Sequence, residues 1–570
     1  MKKLISLVLA LAMIMMVGAA FAADPVNNRT ADTTISITGL DEGDTVALYK
    51  IIEWDGYWKP ATGYSGLTQT EVDDIVKQNH ETGKEIANAA GWTDAYINKV
   101  ITSTLPNAVT LTDEQATIGA NDNGTFSLAV DPGMYYAVVT PKDGTKVYKP
   151  MFISADYSAT PATHTVGAKY ETITIDKKAT NQTNNHDKGA DYDEANTDAN
   201  SYNTVNVGDT VDFEIDTTIP KFPASFTSPV FKVSDTLNGL TLKHAAGEIK
   251  VYAGNIDPAN LLTVDNQYTL SATDAGFTVA FASTYIKALT AAQPIKVVYQ
   301  GIVDNTATYE INMKENKAEV RFSNNPSDDK GANKLVDETR HYTFDINGII
   351  SGEVNRPGTD LIKVGIDDKG NEILETIQLP NEHWAGALQG AKFTLWGEEA
   401  KNNKIRENLE SDAKGQIVIT GLDAGTYWLE ETEAPAGFIK SNKLAKIEII
   451  PVFEKKTVAA HEETVEGIKV TVPEYSYAVL KSYTIKINDK MTSTYTVKNE
   501  GTVNAIDDDQ IAAGSASGQP TNDDLGKIQN PKGVELPSTG GIGTTIFYIV
   551  GGILLIGAAV ILVARRKAQD

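Results

Sequence analysis

The sequence predicts an all-β exported chain, a series of sandwich domains held between two apolar segments. Three observations lead there. Short alternating apolar and polar runs bounded by Gly, Asp, Asn and Pro recur through the chain, the pattern of strands and turns. At the N-terminus, Lys2 and Lys3 precede the apolar run Leu4 to Val17 and the small-residue site Ala20-Phe21-Ala22, which together make a secretory signal. At the C-terminus, an uncharged stretch from Thr545 to Ala564 is followed at once by Arg565-Arg566-Lys567. At about 1.5 Å rise per residue that stretch crosses a ~30 Å hydrocarbon core as one helix. The positive-inside rule places the basic cluster in the cytoplasm and everything before the helix outside.

Residues 1–22 are expected to be removed on export. A first domain, 23–168, holds strands at Thr33–Thr38, Thr45–Tyr49, Thr125–Val130 and Tyr135–Val139, with Met151–Ser154 as its final strand. Its 70–104 stretch is more helical, with Val72, Ile75, Val76, Ile86 and Ile97 among polar residues and Thr68 or Thr70 as cap. A second domain, 169–326, opens with Ile173-Thr-Ile175, continues with Thr210–Ile215 and ends with Ala318–Phe322. A third, 327–533, holds Leu361–Val364, Ala391–Trp396 and Thr426–Leu429, and its 505–526 stretch, rich in Asp, Gly, Ser and Ala, reads as a loop. Residues 534–570 complete the chain with a short motif, the apolar helix and the basic tail.

Composition excludes several classes. The chain has 0 Cys, so neither disulfides nor thiolate metal sites are available. A formal charge of -25 argues against a nucleic-acid or anionic-membrane partner. The 7 His form no HExxH or other metal spacing, and no GxSxG, Walker or GxGxxG context appears. Turnover enzyme chemistry has no support, and no cofactor is expected. Asp191, Asp193, Glu194 and Asp198 offer oxygen ligands, but the glycine of a calcium loop is missing, and the 180–203 stretch reads as a solvated insertion without metal.

The order Leu536-Pro537-Ser538-Thr539-Gly540, apolar helix, basic tail resembles the sorting signal of Gram-positive surface proteins read by sortase. That resemblance implies cleavage between Thr539 and Gly540, a thioester to the sortase cysteine, and transfer to an amine. A second motif is internal. Tyr427-Trp-Leu429-Glu-Glu431-Thr432-Glu-Ala434-Pro435-Ala-Gly437-Phe438 resembles the E-box, YxLxETxAPxGY, of SpaA-type pilins and Cna B-type surface domains, departing only at Phe438. The resemblance implies tandem immunoglobulin-like (Cna-type) β-sandwiches. It also implies an intramolecular isopeptide bond between a Lys on a domain's first strand and an Asn on its last, assisted by the E-box Glu. Glu431 takes that place here. Lys363 in Leu361-Ile-Lys-Val-Gly365 sits where the family has its Lys, and Asn530 in Lys527-Ile-Gln-Asn-Pro531 where it has its Asn.

The chemistry calls for these residue types. A Lys amine is a nucleophile only when neutral, and burial lowers its pKa. An amide carbonyl is a poor electrophile until a proton or donor polarises it. A buried carboxyl with a raised pKa can hydrogen-bond the Asn oxygen and pass a proton to departing ammonia. Strand neighbours on a rigid sandwich supply proximity.

The second domain carries a comparable set. Phe231-Lys-Val-Ser-Asp235-Thr-Leu-Asn-Gly239-Leu240 resembles the VxDxLxxGL stretch of middle pilin domains, with Asp as the acid and one residue fewer before the Gly. Alternation from Ile173 and Ile175 puts Lys177 on the apolar face and Lys178 outward. If first and last strands run parallel as neighbours, Lys177 meets Asn324 rather than Asn316, with Asn325 next in line. The first domain offers no such triad: Lys50 follows a strand without an evident acid and Asn.

A shaft pilin of this family also presents an acceptor Lys before its second domain. Lys169 in Thr163-His-Thr-Val-Gly-Ala-Lys169-Tyr170 stands there, without the family's Tyr-Pro pair, and Lys149 in Val147-Tyr-Lys149-Pro150 is a weaker match. The resemblance therefore implies a structural subunit of a covalent surface pilus. Its partners would be pilus-specific and housekeeping sortases, further copies of itself, minor pilins, peptidoglycan and a host surface. The alternatives are a singly wall-anchored adhesin binding host matrix, or a minor tip or base pilin.

Overall fold

The computed structural model describes residues 33–76, 92–142, 144–155, 163–180, 191–192, 202–304, 311–324, 330–347, 361–373, 386–497, 511–513, 526–533 and 542–568. The signal segment 1–22 and the Leu536–Gly540 motif lie outside them, as do Ile86, Asp193, Glu194, Asp198 and Asn325.

The N-terminal region is a sandwich. A three-stranded sheet sets Thr33–Thr38 between Thr125–Val130 and Thr163–Gly167, and a four-stranded sheet runs Trp58–Pro60, Thr45–Trp54, Gly133–Thr140, Met151–Ala155. Ile35, Ile37 and Phe126 of the first meet Leu48, Tyr135, Ala137 and Ile153 of the second in one core. The outer face of the larger sheet is covered by helices. Val72 and Ile75 of Gln69–Val76 and Val100 of Asp94–Thr102 pack there with Trp58, Trp92 and Tyr136. Thr68 is the cap of the first of these helices: its hydroxyl accepts from Glu71 N at 3.3 Å, and Glu71 Oε2 accepts from Thr68 N at 2.7 Å, a reciprocal capping box. Met151–Ser154 is not the final strand as the sequence predicts: Thr163–Gly167 follows, parallel to Thr33–Thr38, and Tyr170–Thr172 then pairs with Lys146–Tyr148. Thr and His at alternate positions gave Thr163–Gly167 no apolar signature.

The middle region stacks two sheets. One runs Ile175–Ala179, Thr210–Ile219, Gln293–Val303, Leu240–Lys243, with Lys250–Ala253 also on Gln293–Val303. The other runs Tyr268–Thr273, Gly276–Phe281, Phe231–Asn238, Ile311–Phe322, Asn333–Ile346 and continues into the hairpin Ile468–Val472 and His461–Val465. Phe213, Ile215, Val297 and Tyr299 of the first interdigitate with Val233, Val279, Ala318 and Val320 of the second. The long strand Asn333–Ile346 also pairs with Ile419–Leu422, so one strand serves the middle and C-terminal regions. The hairpin is held to the middle sheet by Arg321 to Glu466 at 3.1 Å and by Lys334 to Glu463.

The C-terminal region has a large antiparallel sheet ordered Lys404–Glu410, Lys392–Trp396, Gly425–Glu433, Ala445–Val458, Tyr475–Ile487, Lys490–Val497, Ile511–Ala513. The last of these strands falls within the 505–526 stretch read as a loop. A separate parallel pair, Leu361–Ile366 with Gly526–Pro531, brings together segments more than 160 residues apart. Leu361 and Ile528 of this pair enter the core of Phe393, Leu429, Ile447, Tyr483 and Ile485. Beyond it lies the helix Ile542–Lys567, whose Phe547–Lys567 part is long and apolar enough to cross a membrane.

Candidate functional site: buried lysine, asparagine and carboxyl clusters

Two clusters of ionisable and amide side chains sit inside apolar cores. The first is in the C-terminal region. Parallel pairing sets Lys363 opposite Ile528 and Gly365 opposite Asn530. Glu431 comes from the neighbouring Gly425–Glu433 strand, at a position alternating inward with Tyr427 and Leu429. The E-box then turns at Pro435–Phe438 and returns over the parallel pair: Ile439 N donates to Pro531 O at 2.9 Å, and the Phe438 ring lies over Gly365. A Cβ at Gly365 would stand 2.6 Å from that ring, so only glycine fits there.

Within this frame Lys363 Nζ donates to Asn530 Oδ1 and to Ile528 O at 3.1 Å. Asn530 Nδ2 donates to Glu431 Oε1 at 2.7 Å, and Lys363 Nζ stands 3.3 Å from the same oxygen. Ser441 N, donating to Glu431 Oε2 at 2.6 Å, fixes the carboxyl. Relative exposure is 0% for Lys363 and Asn530 and 2% for Glu431. Burial brings the Lys363 pKa down to about 8, against the opposing attraction of Glu431. A substantial neutral fraction near physiological pH makes this amine a nucleophile. The carboxyl faces the amide nitrogen, the atom that must leave, rather than the amide oxygen that the sequence argument assigned to it.

A pH dependence follows. The bond that the resemblance implies between Lys363 and Asn530 is expected to form faster as pH rises toward about 8 in a chain isolated unfolded and then refolded, and to level off as the amine becomes neutral. Mass against time after refolding checks it. The linkage sign is equally defined for Asn530→Ala, where Lys363 stays free. Its folded pKa is below the unfolded value of 10.5, so between about 8 and 10.5 the unfolded chain binds more protons. That variant should gain stability as pH rises through the window, read as a rising denaturation midpoint.

The second cluster lies in the middle region. Lys177 pairs with Ile215 across the sheet, and its Nζ lies beside the stacked Phe213 and Tyr299 rings, 4.9 and 5.0 Å from their centroids. Its Nζ donates to Asp235 Oδ2 at 2.6 Å and to the Tyr299 hydroxyl. Burial lowers the amine's pKa and raises that of the Asp235 carboxyl, a combination that favours the neutral pair. The amide in reach is Asn316, fully buried, whose Nδ2 donates to the Tyr299 hydroxyl at 3.0 Å.

Asn324 does not join this cluster. Register sets Asp235 opposite Ala318 and Leu237 opposite Asn316. Asn324 lies beyond the strand end, about 20 Å along the chain direction from the level of Ala318. The cause is topology: Ile175–Ala179 pairs antiparallel with Thr210–Ile219 and is not a parallel partner of Ile311–Phe322. Asn316 and Asn324 share the inward phase, so alternation could not separate them; aligning the strand to Asp235 would have.

Lys169 is exposed in the two-residue connection between Thr163–Gly167 and Tyr170–Thr172. Lys149 lies beside it, with Lys149 N donating to Lys169 O at 2.8 Å, but its amine is paired with Glu171 at 3.0 Å. Among the described residues no three His, Asp or Glu converge as for a metal. Lys50 Nζ stands 3.7 Å from Asp131 and 5.8 Å from the centroid of the Tyr135 ring.

Residues 381–464 match the SpaA prealbumin-like fold domain, and residues 528–570 match the LPXTG cell wall anchor motif. The chain is 22% identical over 588 residues to the trypsin-resistant surface T6 protein of Streptococcus pyogenes serotype M6, covering 98% of this chain and 99% of that one. The solved T6 backbone pilin of the same serotype, described as a modular three-domain structure, superposes with a TM-score of 0.50 at 17% identity over 89% of this chain and 100% of that one. The full-length major pilin SpaD of Corynebacterium diphtheriae gives a TM-score of 0.40 at 16% identity, covering 73% and 90%. Fold and anchor thus define a cell-wall-anchored surface protein of a Gram-positive bacterium, built from β-sandwich domains. Within that class the chain resembles the SpaA-type, sortase-assembled backbone pilins, and the matches support a pilus subunit.

Proposed function

We propose that this chain is the repeating shaft subunit of a covalent surface pilus. Sortase would cut between Thr539 and Gly540 and join Thr539 to Lys169 of the next copy, the last copy passing to peptidoglycan. The observation that carries the reading is the buried cluster of Lys363 and Asn530, on the parallel strands Leu361–Ile366 and Gly526–Pro531, with Glu431 of Gly425–Glu433, directly before the anchor. Neutral Lys363 attacks the Asn530 carbonyl carbon, the bond from that carbon to Nδ2 breaks, and ammonia leaves with protons delivered through Glu431. The middle cluster supports the same reaction between Lys177 and Asn316, with Asp235 as acid. Both bonds join distant strands, so tension would travel through a covalent link instead of peeling a sheet.

Lys169 is the acceptor this reading favours because it is exposed, sits between Thr163–Gly167 and Tyr170–Thr172, and has a neighbour, Lys149, whose amine is engaged. With pilus sortase present, Lys169→Ala should abolish the ladder of polymers on a denaturing gel while leaving the monomer and its internal bonds intact. Lys149→Ala should leave the ladder. A ladder persisting in Lys169→Ala would move the acceptor elsewhere. A single wall-linked band from the unaltered chain would favour a singly anchored adhesin.

A further inference from the structure

We propose that Tyr299 is a catalytic residue of the middle-domain cross-link, its hydroxyl relaying a proton from the attacking amine of Lys177 to the departing amide nitrogen of Asn316. This rests on the Lys–Asn reading given above and concerns how that one site works. Three observations carry it. The hydroxyl accepts from both reacting nitrogens, Lys177 Nζ and, at 3.0 Å, Asn316 Nδ2. In the C-terminal cluster the carboxyl itself reaches the amide nitrogen, Glu431 Oε1 at 2.7 Å. In the middle cluster the acid is Asp235, one methylene shorter; its Oδ2 is taken by Lys177 and its carboxyl is bonded to the Tyr299 hydroxyl, which in turn holds the amide nitrogen. The two sites therefore solve the same geometric problem differently: a long acid in one, a short acid plus a phenol in the other.

The balance is simple. The Nζ lone pair forms a bond to Asn316 Cγ, and the bond from Cγ to Nδ2 breaks. Lys177 loses one proton to the Tyr299 oxygen as Tyr299 gives its own to Nδ2, so ammonia departs and the phenol ends unchanged. Burial and the nearby Asp235 push the Tyr299 ionisation well upward, so the phenol keeps its proton and both transfers occur together, without a tyrosinate. Asn316 Oδ1 is buried and has no hydrogen-bond partner. Tyr299 also sets which amine reacts. Lys314 is a second fully buried lysine two residues from Asn316, but its Nζ has no hydrogen-bond partner and its electrostatic neighbours are Asp345 and Asp304.

Tyr299→Phe keeps the ring and its stacking on Phe213 and removes only the hydroxyl. The soluble chain, residues 23–535, isolated unfolded and refolded, is sampled over time and mapped by proteolysis and mass spectrometry. The Lys177–Asn316 peptide is expected to appear at least roughly 100-fold more slowly in Tyr299→Phe, the usual scale for a lost proton relay. The Lys363–Asn530 peptide, an internal control for folding, should form at the unaltered rate. An unchanged Lys177–Asn316 rate in Tyr299→Phe overturns the role of Tyr299 and leaves the cross-link reading standing. Absence of that peptide from the unaltered chain overturns the reading and the relay together. Should Phe at 299 prevent the middle domain from folding, 3-fluorotyrosine at 299 decides. A relay shifts the pH–rate profile set by Lys177, Asp235, Asp337, Glu319 and His341, whereas a packing role leaves it unmoved.

Discussion

Glu431→Ala is expected to keep the ammonia that the Lys363–Asn530 bond would release, so its mass stands roughly 17 Da above that calculated for the cross-linked variant, because the proton carrier at the leaving nitrogen is gone while Lys363 and Asn530 stay in place. The effect on stability should be the largest of any single substitution in the C-terminal domain. The bond would close a loop whose ends are 167 residues apart in sequence. On the chain-entropy scale for cross-links that restriction of the unfolded state is worth about 5 kcal/mol. For a domain of this size each kcal/mol moves the melting midpoint by about 2–4 °C, so a fall on the order of 10–20 °C is expected. Without the bond the variant also retains a buried amine whose pKa burial lowers and Glu431 no longer raises, so its remaining stability should rise with pH from below 8 up to the unfolded value of 10.5. Calorimetry of the variant beside the unaltered chain measures the shift. A melting curve unchanged within 2–3 °C, well below that scale, would mean that the cluster does not carry the domain's stability.

The second large effect separates two asparagines. Asn316→Ala should remove the middle cross-link and its roughly 17 Da loss, whereas Asn324→Ala should leave both intact. The first substitution opens a loop of about 140 residues, again about 5 kcal/mol of restriction. It also strips the Tyr299 hydroxyl of one partner inside the core. The second touches the end of the same strand, far from Asp235 in register. Asp235→Ala should match Asn316→Ala in mass and exceed it in destabilisation, because it leaves the fully buried Lys177 amine without its carboxyl partner. Trypsin at moderate temperature supplies a second readout, since a domain without its cross-link opens more readily.

What could be read from residues alone was what local pattern and motif spacing encode. Glu431 came from the E-box, Asp235 from its own shorter motif, and Lys177 from strict alternation after Ile173, and the structure buries all three. Lys363 and Asn530 came from their places relative to the E-box and the anchor. Asn316 was lost because its choice depends on which strands are neighbours, and alternation is blind to register. Tyr299 was lost for another reason. One buried tyrosine among the alternating apolar residues of Gln293–Val303 looks like any core aromatic until the opposite sheet brings Lys177 and Asn316 to its hydroxyl. The strand Thr163–Gly167 escaped because its pattern is polar, and the sharing of Asn333–Ile346 between two sandwiches because no turn signal marks it.

On this reading two buried clusters convert themselves into covalent bonds. Peptide mapping of the soluble chain, residues 23–535, produced without sortase, tests it most directly. Two branched peptides are expected, Lys363 joined to Asn530 and Lys177 joined to Asn316, with an intact mass lower by two ammonias, roughly 34 Da. A folded chain at its full unmodified mass, with all four residues recovered in linear peptides, would contradict it.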